Sequence, residues 1–131
     1  MSSKNLWGNL TAEESVRTPT NVLNEQATAL SEMTKGILHG KVELWSEEKT
    51  FKITLSIVAP AVNNYEFEVV SVKHPVELYP VSVVAAWERW ELRKEIECQD
   101  EEEFMAALER ILGSERVRRV ISSLIAQSKA M

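Results

Sequence analysis

Cysteine, glycine and histidine are all scarce in this chain, and each shortage closes off a class of function. The single cysteine, Cys98, has no second thiol to pair with, so no intramolecular disulfide is available to stabilise the fold. With no apolar leader of signal-peptide type at the N-terminus, the lone thiol points to a reducing, cytoplasmic setting. Four glycines, widely scattered, are too few for a phosphate-cradling loop of either standard type, which argues against nucleotide binding. The two histidines, His39 and His74, fall in different elements without a third imidazole or a thiolate at zinc-type spacing. His39 and Glu43 share a strand face, a pair too small to close a metal site. No metal and no cofactor is expected.

Other absences narrow the field further. No apolar run approaches the ~20 residues needed to span a bilayer as a helix, so no membrane association is expected. A net charge of −5, with neither end forming a charged arm, argues against nucleic acid as a partner, because phosphate binding needs a basic stripe. The one basic cluster, Arg116, Arg118 and Arg119, fits the solvated face of a helix. No Gly-x-Ser-x-Gly elbow is present, and Cys98 sits where a small buried hydrophobe is expected. No catalytic residue is assigned, and the balance leans away from an enzyme.

What the chain does contain is periodic apolar patterning. Residues 1–17 show no sustained period and are expected to form a flexible arm, with Leu6, Trp7 and Leu10 as its only sizeable apolar groups. Residues 18–131 are expected to form one domain, in keeping with the chain's length. Thr18-Pro19 reads as a helix start, since threonine caps free N–H groups and proline fits the first helical position. Leu23, Ala27, Leu30, Met33 and Ile37 then form one helical stripe, closed by Gly36.

From Leu38 the period becomes two. Val42 and Leu44, then Phe51, Ile53, Leu55 and Ile57, then Tyr65, Phe67 and Val69 mark the inner faces of three strands, with turns at Ser46–Lys49 and Asn63-Asn64. The prolines at 75 and 80 suggest an edge strand or extended loop. Between Val81 and Cys98 an alternating pattern puts Trp90, Leu92, Ile96 and Cys98 on one face of a further strand. Asp100 with Glu103 opens a helix carrying Phe104, Ala107, Leu108, Ile111 and Leu112, and Ser114 opens another carrying Val117, Val120, Ile121, Leu124 and Ile125.

These elements predict an α+β two-layer sandwich: an N-terminal helix, an antiparallel meander of four to five strands, and two C-terminal helices packed on one sheet face. In this register Trp45, Val58, Val70, Val72 and Trp87 fall on the other, open face. Exposed apolar clusters of that kind mark contact surfaces. The leading expectation is therefore a non-catalytic protein–protein interaction module, adaptor-, chaperone- or immunity-like, that binds another protein or itself, most simply as a homodimer. The alternative is a small-molecule-binding or catalytic domain with a pocket between helices and sheet, near Tyr65, His74, Tyr79 and Trp90.

Overall fold

The structure, a computed structural model, describes residues 4–8 and 16–131. Helix α1 (Pro19–Met33) comes first. Strands β1 (His39–Glu47), β2 (Thr50–Ala59), β3 (Tyr65–Pro75), β4 (Val81–Ala85) and β5 (Ile96–Cys98) follow, and then helices α2 (Glu101–Leu112) and α3 (Glu115–Ala130). Successive strands pair antiparallel in the order β1-β2-β3-β4-β5, and the helices pack on the sheet, which makes the expected α+β sandwich. Of the arm expected over residues 1–17, residues 1–3 and 9–15, including Leu10, lie outside the described residues. Leu6 and Trp7 are exposed.

Local chemistry sets the element ends. The Thr18 hydroxyl accepts from the Asn21 N–H at 3.0 Å, and the Asn21 side chain accepts from the Thr18 N–H, a reciprocal cap. Asp100 accepts from the Glu103 N–H at 2.9 Å, and Ser114 from the Val117 N–H at 3.3 Å. Three consecutive glutamates occupy the first turn of α2, where the helix dipole favours negative charge. Asn63 and Asn64 both take positive φ, which turns β2 into β3.

The core lies between the layers. It joins Val22, Leu23 and Ala27 of α1, Phe104, Ala107, Leu108 and Ile111 of α2, and Val117 and Leu124 of α3 to Ile53, Leu55, Ile57, Val70, Val72, Val81, Val83 and Cys98 of the sheet. Helix α1 meets β1 at Gly40 so closely that a methyl group there would fall on Ala27 Cα and Cβ. A glycine inside a strand commonly marks such an approach.

Two features depart from the alternation in the sequence. Leu55 pairs with Val70 while Ser56 pairs with Glu68, so Val69 is an extra residue bulged out of the β3 ladder. Beyond the bulge the inward and outward positions exchange. Val70 and Val72, expected on the open face, are fully buried opposite Leu55 and Ile53. The second departure lies between β4 and β5, where a 3₁₀ turn (Trp90–Leu92) replaces the expected strand. The Arg93 side chain holds this turn, donating to the Ala86 and Glu88 carbonyls at 3.0 Å each. Trp90 and Leu92, expected in the core, are exposed there (77% and 61%), while Ile96 and Cys98 beyond it pair with Val83 and Val81 on the inner face.

Candidate functional site

Of the five residues expected to form an apolar patch on the open face, two stand there. Trp45 lies opposite Lys52, and Val58, half-buried, lies between His39 and Glu66. Val70 and Val72 are in the core because of the bulge. Trp87 is half-buried on the helix side, stacked on Phe67 with ring centroids 6.2 Å apart, because the chain turns inward after β4 where the Ala86 N–H donates to the Val69 carbonyl. The open face is mostly polar. Across it run the rows Trp45–Lys52–Lys73–Ser82, Glu43–Thr54–Ser71–Val84 and Lys41–Ser56–Glu68.

The alternative pocket residues are not brought together. Tyr65 and His74 stand at opposite ends of β3, about 30 Å apart at the usual rise of a strand. Tyr65 is half-exposed near α3, in a groove shared with Phe67 and Arg116. His74 is buried and stacked on Phe51 at 5.4 Å, with its Nδ1 2.7 Å from the Pro75 carbonyl oxygen. Tyr79 lies in the β3–β4 connection. Burial, the nearby Glu101, Asp100 and Cys98 raise its pKa against the opposing Arg17, and its hydroxyl is buried with no hydrogen-bond partner. Trp90 is on the outer side, beside an open cleft over Lys52, Ser71 and Lys73.

A cavity between the layers does exist, with a different lining. It holds about 170 Å³ between α1, α3 and the sheet, walled by Ala27, Leu30, Leu55, Ile57, Val117 and Ile121. Its surface is mostly apolar, with Gln26 and Ser56 as the polar side chains in the lining, which suits shape-selective binding of an apolar group.

Nor does the cysteine supply chemistry. Cys98 is 1% exposed, and burial, reinforced by Glu103, Asp100 and Glu97, pushes its thiol pKa up. A thiol kept protonated and shielded is a poor nucleophile. Among the described residues no group of three or more His, Cys, Asp or Glu side chains is placed to hold a metal ion, and no helix is long and apolar enough to cross a membrane.

The surface that stands out is the free edge of β1. This strand is nine residues long and pairs only with β2, so among the described residues its other edge of N–H and C=O groups has no strand partner. Leu44 and Trp45, adjacent and on opposite faces, are 53% and 46% exposed. Beside them Lys41 bridges Glu43 at 3.2 Å and Glu66 at 3.3 Å, and hydrogen bonds to Glu43 and Glu66 raise the pKa of its ammonium. The alternation in the sequence places Leu44 in the core, whereas the structure leaves it exposed. The signal was Gly40: a glycine in the strand places the helix crossing at that point, leaving the far half of β1 bare. Compared with protein-family models, curated proteins and solved structures, the chain matches none of them.

Proposed function

We propose that this chain is a non-catalytic protein–protein interaction module that associates with a second copy of itself through the β1 side of its open sheet face. One observation carries the reading: a nine-residue edge strand whose free side exposes Leu44 and Trp45 together. Long, exposed edge strands are templates for pairing, and proteins that do not use them shorten, cover or bend them away. β5, at the other end of the sheet, is three residues long. The lack of assembled catalytic groups among the described residues and the net charge of −5 favour a protein partner over a substrate or a nucleic acid. The reading includes residues 18–131 as one domain in a reducing cytoplasm, supported by the unpaired, buried cysteine.

Solution mass by light scattering across a concentration series tests this. Wild type should move toward twice the monomer mass of 14.9 kDa as concentration rises, and Trp45→Ser should stay monomeric with an unchanged circular dichroism spectrum. A wild-type protein that remains monomeric throughout would end the self-association reading.

The cavity between α1, α3 and the sheet favours a second reading, in which the chain binds a small apolar ligand. Enclosed apolar cavities of about 150 Å³ take up benzene, and this partly open pocket offers a comparable volume. Benzene should then raise the melting temperature and shift the methyl resonances of Leu55, Ile57 and Val117. No change in either quantity would dispose of it.

A further inference from the structure

Resting on the self-association reading, we propose that two copies join their β1 strands antiparallel about a two-fold axis through Val42, making one continuous sheet. Pairing with β2 fixes the two faces of β1. Lys41, Glu43 and Trp45 lie in the rows of the open face, and His39 begins the strand with its Nδ1 3.3 Å from the Ser31 hydroxyl of α1, while Gly40, Val42 and Leu44 lie opposite Ile57, Leu55 and Ile53 on the helix side. A two-fold axis through a residue of the strand pairs like faces, so the strand's own sequence decides which register is tolerable.

With the axis at Val42, each Lys41 stands opposite Glu43 of the second copy. Two lysines and two glutamates then form a closed ring of alternating charge around the axis. Val42 meets its own copy, and His39 faces Trp45. Leu44 of one copy comes opposite Gly40 of the other, beside the place where α1 crosses β1, which covers a leucine now 53% exposed. Neighbouring registers are worse. Moving the axis to Lys41 or to Glu43 sets that residue against itself, and directly opposed like charges destabilise a strand pair. Moving it to Leu44 leaves Glu43 opposite Trp45 and keeps opposite charges facing only at the outer Lys41–Glu47 pairs, away from the axis. The helix crossing at Gly40 and the charge order Lys41, Glu43 thus select one register.

Charge reversal tests the proposal. Lys41→Glu and Glu43→Lys, each alone, set like charges against each other at both related contacts, and each should weaken dimerisation by roughly tenfold or more. Mixed together, the two variants should dimerise again, because the introduced glutamate then faces the introduced lysine and the two remaining native side chains also match. A second measurement is independent of charge. Val42→Cys should crosslink to its own copy under oxidation, since residues directly opposite in a sheet lie within disulfide reach, while Leu44→Cys should not. The native thiol, Cys98, is buried and does not compete. If wild type never dimerises, the self-association reading fails and this register with it. If wild type dimerises but the single reversals dimerise equally well, or the mixture stays monomeric, or Leu44→Cys crosslinks in place of Val42→Cys, the self-association reading stands and this register is overturned.

Discussion

Phe104→Ala is expected to destabilise the protein by about 3–5 kcal/mol, the usual cost of removing a fully buried aromatic side chain. Phe104 is the largest fully buried side chain among the described residues, and it belongs to α2, the helix that packs against β4 and β5. The cost has two parts: lost transfer free energy, and the cavity left in a core rich in stiff, β-branched side chains. Against a total stability of about 5–15 kcal/mol, the variant should show a urea midpoint lowered by a large fraction and an unchanged slope. Trp90→Ala is the matching control. The sequence pattern places Trp90 in the core, whereas the structure leaves it 77% exposed with only the Arg93 guanidinium over its ring at 5.9 Å. Its loss should cost about 1 kcal/mol or less. A larger loss for Trp90→Ala than for Phe104→Ala would contradict this arrangement of the β4–β5 segment.

That contrast shows where the sequence was legible. Helix starts were readable because a cap is local chemistry: Thr18 with Asn21, Asp100 with Glu103 and Ser114 with Val117 all lie within four residues of each other. The strands before the bulge were readable because period two survives in Phe51, Ile53, Leu55 and Ile57. The alternation fails at Val69. Val69, Val70 and Val72 are compatible with either face, and the choice is made by the pairing with β2, where the consecutive Leu55 and Ser56 take Val70 and Glu68 as partners and leave Val69 unpaired. Between Glu88 and Glu97 the alternation of charge imitates a strand, but Arg93 hydrogen-bonds carbonyls five and seven residues back and closes a turn. Side-chain-to-backbone bonds of that span leave no periodic trace.

The site was less legible than the fold, for a related reason. Trp45 was singled out and is on the open face, half-exposed, at the edge of the sheet. Val58 stands on the same face, whereas the register of Val70, Val72 and Trp87 extends through the bulge or past the end of β4, and these three lie on the inner side. Exposure of Leu44 is a tertiary property. It depends on where α1 crosses the sheet, and the only sequence mark of that crossing is the missing side chain at Gly40.

Gly40→Ala therefore probes the fold and the proposed contact surface at once, and we expect it to cost about 3 kcal/mol, the upper part of the usual range for overpacking. The added methyl group would fall on Ala27 Cα and Cβ and come within 3.1 Å of the Ala27 carbonyl oxygen. Two of these atoms are backbone, so no side-chain rotation relieves the clash, and α1 has to lift from β1. Gly36→Ala separates this from a general cost of replacing glycine. Gly36 has φ of +80°, with nothing within 4 Å of an added methyl, so it carries only the left-handed backbone penalty of about 1–2 kcal/mol. Urea unfolding should rank Gly40→Ala as the more destabilised of the two. Lifting α1 also removes what would cover Leu44 in a β1–β1 pair, so residual folded Gly40→Ala should dimerise more weakly than wild type while Gly36→Ala dimerises normally. Equal stability of Gly40→Ala and wild type would mean that α1 does not rest on β1 at this point, and the geometry that selects the Val42 register would lose one of its two supports.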